Sequence, residues 1–196
     1  YLIDTLTTGG AQTALFNIVT NLDQTQYDPF VISLFKDGRV GEALRQRGIY
    51  TQCLDITAPF NIVNIVKYHR ILSRFAHCNQ IDLVHASLSA SGIYGGILAK
   101  RVNAPSVLNV HGLLSKPSVG GWKARYIELL ARALNNMLIA GNRLTERELH
   151  RYRLWRDGER ITQIYNGIIS EDGAMAEPFT EDAIKITMVA NFFPEK

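Results

Sequence analysis

The sequence predicts an α/β fold in which a mostly parallel sheet is covered by helices on both faces. Short apolar runs alternate with longer segments of helical period along nearly the whole chain, and this alternation is typical of repeated strand–helix–strand units. The strand candidates DLVHAS and SVLNVH are short and mostly apolar, as strands buried in a parallel sheet tend to be. A chain of 196 residues, 46% hydrophobic and 20% charged, is long enough to bury such a core.

Seven strands and six helices are predicted in alternation. The strand candidates are Leu2–Leu6, Phe30–Phe35, Tyr50–Leu54, Leu83–Ser87, Ser106–Val110, Asn136–Ala140 and Thr162–Tyr165. The helix candidates are Ala11–Leu22, Val40–Arg47, Ile62–His77, Ser89–Arg101, Trp122–Ala133 and Arg143–Arg151. Ligands of doubly wound parallel sheets bind beyond the carboxyl ends of the strands. The site is therefore expected at Thr7–Gly10, His85–Ser91, His111–Leu114 and Gly141–Asn142.

The sequence predicts one full domain and the start of another. Residues 1–169 are expected to form a Rossmann-like domain. The following stretch is acidic and contains small residues and proline, which predicts a linker over residues 170–183. A new apolar strand pattern then begins, so residues 184–196 are expected to be the first strand and loop of a second, truncated domain. The sequence is accordingly expected to be a piece of a longer protein.

Composition narrows the class of protein. The net charge of +3 is mild, whereas a dedicated nucleic-acid binder usually has a denser basic face. Cys53 and Cys78 have no metal-ligand spacing and are expected to be reduced core thiols of a cytosolic protein. No apolar run approaches the ~18 residues that span a bilayer, and no segment has the pattern of a signal peptide.

Two adjacent glycines, Gly9 and Gly10, follow the first predicted strand where the first helix begins. Glycines at this point allow a tight turn and leave room for a ligand. The free N–H groups and the positive end of the helix suit a phosphate or a hydroxyl-rich sugar, and a plain strand–helix turn is the alternative. The chain contains neither G-x-G-x-x-G nor G-x-x-x-x-G-K-[ST], so neither a dinucleotide fingerprint nor a P-loop is predicted.

Histidines supply a second group of candidates. His111 directly follows a central strand, so it is expected to face the cleft, where it can bind a substrate hydroxyl or stabilise developing positive charge. A buried histidine held by backbone partners is the alternative for His111 and the favoured interpretation for His85. The other three histidines lie in predicted helices and are expected on the surface: His69, His77 and His150. No spacing such as H-E-x-x-H occurs, so no metal site is predicted.

Two later segments also carry candidate features. Asn166–Gly167 follows the last strand and is predicted to be a turn that needs a positive φ. The helix after Gly121 carries Lys123, Arg125 and Arg132. These cations are typical of a solvated basic face, and docking to an anionic membrane or acceptor is the alternative.

Five motifs follow one another in the order and spacing of a known enzyme family. They are GGAQTAL after the first strand, DLVHAS at 82–87, NVHG at 109–112, YNGI at 165–168 and MVANFFPEK at 188–196. With them, essentially the whole chain resembles the amino-terminal half of a retaining GT-B glycosyltransferase of family 4, the glycogen-synthase-like group. The resemblance implies an enzyme of two Rossmann-like domains that moves a sugar, with retention, from a nucleotide-sugar donor to a hydroxyl acceptor.

The resemblance implies roles for single residues. The loop with Gly9 and Gly10 would approach the donor phosphates or the transferred sugar. His111, which precedes Gly112 in the NVHG motif, would be the catalytic histidine that contacts the transferred sugar, and Gly112 would lie in the same binding site. Basic side chains and a helix dipole would stabilise the leaving diphosphate, so neither a metal nor another cofactor is expected.

The resemblance extends to the donor side of the cleft. Lys196 matches a lysine that binds the diphosphate, whereas Asn191 stands where arginine is usual in the family, which removes one positive charge. The E-x7-E motif of the family does not occur in this chain. The acceptor would be a glycan, a lipid-linked glycan or a small molecule. The enzyme would be cytoplasmic, with peripheral contact at the inner face of the membrane, and would not bind nucleic acid.

Three other classes of protein are alternatives to a glycosyltransferase. A GT-B-like sugar-nucleotide epimerase or phosphorylase has the same architecture and would be distinguished by its product. A non-catalytic sugar- or anion-binding Rossmann domain is disfavoured by the partial second domain. A nicotinamide dehydrogenase is disfavoured because the dinucleotide fingerprint is missing.

Overall fold

The computed structural model describes residues 1–111, 121–151 and 160–167, which form a seven-stranded parallel sheet with helices on both faces. The strands are β1 (Leu2–Thr5), β2 (Phe30–Lys36), β3 (Tyr50–Cys53), β4 (Val84–Ser87), β5 (Ser106–Val110), β6 (Met137–Ala140) and β7 (Ile161–Gln163). The helices are α1 (Gly10–Thr20), α2 (Arg39–Gln46), α3 (Ile62–Cys78), α4 (Ser89–Val102), α5 (Gly121–Leu134) and α6 (Arg143–Arg151).

The predicted fold class is confirmed. The strand order is β3–β2–β1–β4–β5–β6–β7, and every neighbouring pair is parallel. All seven predicted strands and six predicted helices are present, with bounds that differ by at most two residues. The predicted linker and second-domain start lie outside the described residues. No helix among the described residues is both long enough and apolar enough to cross a bilayer.

Two apolar clusters hold the helices on opposite faces of the sheet. On one face α1 and α2 pack against β1 and β2, and this smaller cluster contains Ile3, Leu6, Leu15, Val19, Val31, Leu44 and Ile49. On the other face α3, α4, α5 and α6 pack over the sheet in a larger cluster that extends from Leu2 to Leu149. Neighbouring residues of β1 thus serve different faces, because successive side chains of a strand point in opposite directions.

Helix α4 is the central element of the larger layer. An added Cβ at Gly92 would lie 2.9 Å from Leu108 of β5, and one at Gly96 would lie 2.7 Å from the Cβ of Leu134 in α5. These glycines therefore allow α4 to lie close to both the sheet and α5. Tyr94, 1% exposed, donates its hydroxyl to the carbonyl of Pro59 at 2.6 Å and so fixes the segment that precedes α3.

One of the two histidines on α3, His69, was placed wrongly by the sequence analysis. His69, predicted on the surface, is 7% exposed and stacks on Tyr94 with ring centroids 5.3 Å apart and an interplanar angle of 7°. It lies three residues before Leu72, on the stripe of α3 that faces α4. The His69 ring is buried there despite its polar nitrogen atoms because it stacks on Tyr94. His77 and His150 are exposed, as predicted.

The cysteine prediction was also wrong in part. Both cysteines are free thiols, but neither lies in the core. Cys53 ends the edge strand β3 and is partly buried, and Cys78 is the exposed last residue of α3. The ends of these elements project beyond the packed layers, so a small apolar side chain there does not reach the core.

Gly96→Ala is expected to destabilise the fold by about 1–3 kcal/mol, because the added methyl would overlap Leu134 and push α5 away from α4. Urea unfolding followed by circular dichroism would measure the loss. Gly10→Ala is the matched control, since a Cβ at Gly10 meets nothing within 4 Å. Equal stability of the two variants would show that the α4–α5 contact is not tight.

Stability should fall as the pH is lowered from 7 to 5, partly through His69. Burial lowers the pKa of His69 below the ordinary 6.5, so below pH 6.5 the unfolded chain binds a proton that the folded chain takes up only at lower pH. His69→Phe keeps the ring stacked on Tyr94 and removes this titration. The variant should therefore lose less free energy of unfolding between pH 7 and 5. Curves parallel to those of the parent and of a His150→Gln control would contradict the assignment.

Candidate cleft at the carboxyl edge of the sheet

A cleft of about 470 Å³ lies at the carboxyl edge of the sheet, where the sequence predicts the site. Its polar side chains come from β1, from β5 and the residue after it, from the start of α4 and from α5: Asp4, Asn109, His111, Ser89, Glu128 and Arg132. Its apolar wall comes from β2, from the segment before α3, from the β4–α4 turn and from α5, and includes Phe35, Pro59, Phe60, Leu88 and Ile127. The cleft therefore combines a few polar groups with a mostly apolar wall.

The glycine pair follows β1 and begins α1, as predicted, with Gly10 as the first residue of the helix. Gly9 is the N-cap of α1 with an extended backbone (φ 176°, ψ 166°), and neither glycine has a positive φ. Gly10 has space above it, because an added Cβ would meet nothing within 4 Å. No side chain caps the helix. The first N–H groups of α1 are thus accessible to a ligand, which is the arrangement that binds anions.

His111 directly follows β5 and lines the cleft. Its Nε2 atom is buried and has no hydrogen-bond partner among the described residues. Burial lowers the pKa of His111, so the ring is neutral at pH 7. A neutral imidazole can donate one hydrogen bond and accept another without adding charge to the cleft.

Asp4 is a cleft residue that the sequence analysis did not single out. Its Oδ1 accepts a 2.7 Å hydrogen bond from the backbone N–H of Ser91, in the first turn of α4. Burial raises the pKa of Asp4, and hydrogen bonds from Ser91 and Ala90 oppose that shift. The sequence feature that could have indicated Asp4 is its position as the single carboxylate in the apolar strand YLIDTL.

The turn between β4 and α4 is strained beside this carboxylate. Leu88 lines the cleft and is the N-cap of α4, with φ 80° and ψ 171°. A non-glycine residue in this region costs about 1–3 kcal/mol. The strained turn brings the N-terminus of α4 to Asp4, and backbone strain of this kind concentrates at functional sites.

The basic residues of α5 do not all share one face. Arg132 is buried in the cleft wall, 2% exposed, and its Nη2 lies 2.6 Å from Oε1 of Glu128 one turn earlier. The expectation that Arg132 belongs to an exposed basic face is therefore wrong. Lys123 and Arg125 are exposed, as predicted. The pair with Glu128 compensates the buried charge of Arg132, without which burial would be costly.

A second groove of about 410 Å³ lies between α1 and the segment after β7. Its lining includes His85, Asn109, Tyr165, Asn166 and Gly167. Burial lowers the pKa of His85 to about 4. Its Nε2 has no hydrogen-bond partner among residues that the structure describes, so His85 is mostly buried but its Nε2 is not held as predicted.

The predicted positive-φ turn at Asn166–Gly167 is wrong, because neither residue has a positive φ. Both instead line this groove in a backbone conformation open to any residue.

Three predicted site residues, Gly112, Asn191 and Lys196, lie outside the described residues, so their roles remain predictions. Within the described ranges, no group of three His, Cys, Asp or Glu side chains could hold a metal ion. The structure brings His111 and the glycine pair to the same edge of the sheet, where they follow strands β5 and β1. Only β4 separates these strands, so they lie about 10 Å apart.

Comparison with known proteins identifies the family. The sequence profile of Glycosyltransferase Family 4 matches residues 8–172. The chain belongs to this family. The matched range contains the glycine pair, His111 and nearly all of the described sheet. A comparison with curated protein sequences finds no match.

Solved structures with the same fold include a protein in complex with UDP and glucose, a glycosyltransferase and an epimerase. Anabaena HepE in complex with UDP and glucose has 20% identity and a TM-score of 0.64, over 85% of this chain and 44% of that one. A glycosyltransferase from Rickettsia africae has 16% identity and a TM-score of 0.64, over 85% and 42%. A UDP-N-acetylglucosamine 2-epimerase has 13% identity and a TM-score of 0.55, over 82% and 46%.

The family 4 chain matches only a part of each of these structures. It spans less than half the length of each of them. At such low identities the likeness shows the fold alone, which is the Rossmann-like α/β fold of GT-B proteins. Evidence for the chemistry of this family 4 chain therefore comes from its own cleft.

Asp4→Asn is expected to make the family 4 chain more stable at pH 7. Because burial raises the pKa of Asp4 above the ordinary 3.8, the charged carboxylate destabilises the fold at neutral pH. The stability that this group contributes is present below pH 3.8 and is lost as the pH rises through its folded-state pKa. Urea unfolding at pH 7 and pH 4 would measure the difference, with the exposed Asp28→Asn as control. A variant less stable than the parent at pH 7 would contradict this electrostatic assignment.

Proposed function

We propose that the full-length protein is a retaining glycosyltransferase that moves a sugar from a nucleotide-sugar donor to a hydroxyl acceptor. The observation that carries the proposal is the cleft at the carboxyl edge. There His111 presents a buried Nε2 that has no hydrogen-bond partner among the described residues, two strands from the accessible N-terminus of α1. A hydroxyl-rich sugar suits the neutral histidine, and a diphosphate suits the helix N-terminus. Membership of family 4 supports this combination.

In the proposed reaction the bond between the sugar C1 and the diphosphate oxygen breaks, and the electron pair leaves with the nucleoside diphosphate. The acceptor hydroxyl attacks C1 from the same face, and its proton passes to the departing phosphate oxygen. The developing oxocarbenium ion is positive, so a protonated histidine beside it would be repulsive. Burial keeps His111 neutral, and its ring can therefore bind a sugar hydroxyl and orient the sugar without opposing that charge.

The remaining roles complete the proposal. Gly9 and Gly10 would leave the first N–H groups of α1 open to the diphosphate, and Gly112 would belong to the same site as His111. Lys196 would bind the diphosphate, and Asn191 would lie beside it without a charge. HepE was solved with UDP and glucose, which supports a UDP-sugar as the first donor to test. We place the enzyme in the cytoplasm, with peripheral contact at the membrane through α5.

The acceptor side is assigned to this chain. Asp4 and Asn109 stand near His111 in the cleft lining, and their oxygens can accept hydrogen bonds from acceptor hydroxyls. The acceptor would be a glycan, a lipid-linked glycan or a small molecule. An epimerase with the same fold would release an altered nucleotide sugar rather than a glycoside. Analysis of products by mass spectrometry would therefore distinguish the two reactions.

His111→Ala is expected to lower the turnover of the full-length enzyme by about 30- to 1000-fold, with little change in the KM for the nucleotide sugar. Removal of one preorganised donor costs about 2–4 kcal/mol of transition-state stabilisation. Steady-state kinetics with a UDP-sugar and a membrane extract as the acceptor source would measure it. His150→Ala, an exposed histidine, is the matched control. Unchanged turnover with a raised KM would contradict contact with the transferred sugar.

A further inference from the structure

The sheet itself forms the floor of the second groove, which lies between α1 and the segment after β7. Strand pairing places His85 of β4 beside Val107 of β5, and Asn109 beside Ile139 of β6. Residues two apart on a strand share a face, so these side chains belong to one face of three neighbouring strands. The residues that alternate with them belong to the larger apolar cluster on the opposite face.

The walls of the groove come from α1 and from the chain after β7. The stripe of α1 has the i, i+3, i+4, i+7 spacing of one helical face: Ala14, Asn17, Ile18 and Asn21. Asn17 donates a long, 3.5 Å hydrogen bond to the carbonyl of Gly167 and so joins the two walls. In the second wall, Tyr165 is 60% exposed. The walls thus offer amide groups and an aromatic ring to a ligand between them.

The described lining of this groove contains no charged side chain. Besides Tyr165, its polar side chains are those of four asparagines and one histidine: Asn17, Asn21, Asn109, Asn166 and His85. Burial lowers the pKa of His85 to about 4, so this ring is neutral at pH 7. The cleft differs, because its lining includes Asp4, Glu128 and Arg132. The groove therefore suits an uncharged ligand, since a charged one would leave water without a group of opposite charge to compensate it.

Two buried polar atoms of the floor indicate hydroxyl groups as the matching chemistry. Nε2 of His85 and Oδ1 of Asn109 have no hydrogen-bond partner in the part of the chain that the structure describes. Asn109 is only 4% exposed. An amide oxygen accepts a hydrogen bond, whereas Nε2 of a neutral imidazole donates or accepts according to its tautomer. A hydroxyl group both donates and accepts, so it can pair with either atom in either tautomer.

We propose that this groove is a binding site for a neutral sugar, next to the cleft. Hydroxyl groups of the sugar bind His85, Asn109 and the amides of α1. The C–H faces of its ring lie against Ile18, Ile139 and Tyr165. The volume of the groove, about 410 Å³, lies within the usual range of ligand pockets, roughly 300–1,000 Å³. Asn109 lines both cavities, so the bound sugar is adjacent to the cleft. This binding requires no transfer reaction.

An apolar segment of the full-length protein is the competing occupant. The groove does contain Ile18, Ile139 and Ile164, and such side chains would pack well against another apolar segment. However, that segment would leave Nε2 of His85 and Oδ1 of Asn109 buried without partners, which is unfavourable. A sugar uses both features, because its ring has apolar C–H faces and its rim has hydroxyl groups.

Ligand-detected NMR on the full-length protein, without any nucleotide sugar, tests the site. The neutral probes are the methyl glycosides of glucose, galactose and mannose, together with N-acetylglucosamine and maltose. We expect at least one to bind with a dissociation constant of about 1 mM, because its hydrogen bonds to the protein replace hydrogen bonds to water. Sodium glucuronate has the ring of glucose and a carboxylate. It should bind at least about 10-fold more weakly than methyl glucoside, since the lining offers no cation.

Variants of the groove locate the bound sugar. His85→Phe keeps a ring and removes both nitrogens, so it should weaken binding about 10-fold. Asn21→Leu should weaken binding about 5-fold, and Asn79→Leu is its matched control. Asn21 and Asn79 are each the exposed C-cap of a helix and donate a 2.8 Å hydrogen bond to the carbonyl four residues earlier. Tyr165→Ser should also weaken binding, whereas Tyr27→Ser, at another exposed tyrosine, should not.

Three results would overturn the proposal. Failure of every neutral probe to bind would leave the groove to another segment of the protein. Preferential binding of glucuronate or of uridine would show that the ligand class is wrong. Equal binding by the groove variants and their matched controls would place the sugar elsewhere. Loss of transfer from every nucleotide sugar, with sugar binding in the groove retained, would instead refute only the proposed function.

Discussion

The close approach of α4 to its neighbours is the constraint on which the rest of the structure depends. Gly92 and Gly96 leave no room for side chains between α4, β5 and α5, so α4 fixes where α5 lies. The N-terminus of α4 donates to Asp4 in the cleft, and Tyr94 in its middle holds Pro59 in the cleft wall. One tightly packed helix thus positions a carboxylate, two walls of the cleft and the helix that carries Trp122.

Electrostatics divide the molecule into a nearly neutral cleft and a basic outer layer. Inside the cleft Arg132 is paired with Glu128, the histidine is kept neutral by burial, and the raised pKa of Asp4 reflects the cost of burying its charge. Outside, α3, α4 and α5 expose seven cations. This separation suits an uncharged ligand with hydroxyl groups, because each exposed charge lies where water can compensate it.

The two ends of the proposed reaction depend on different elements of the carboxyl edge. The start of α1 offers backbone N–H groups with no side-chain cap, whereas β5 offers the ring of His111. Neither arrangement needs an unusual backbone, since neither Gly9 nor Gly10 has a positive φ. Leu88 at the start of α4 is strained, and it lies on the side of the cleft assigned to the acceptor.

The sequence by itself determined the order of the elements, the parallel sheet, and the edge at which the site lies. Hydrophobic period and strand–helix alternation are local properties, so they can be read without knowing which helix touches which. Only the tertiary structure decided the environment of single polar residues. His69 is buried because Tyr94 offers a ring to stack on, and Arg132 is buried because Glu128 compensates it. Asp4 accepts a hydrogen bond from the N-terminus of a helix, at a residue 87 positions later in the chain. The partners of His69 and Asp4, and the cleft wall in which Arg132 is buried, come from residues distant in sequence, which no local pattern specifies.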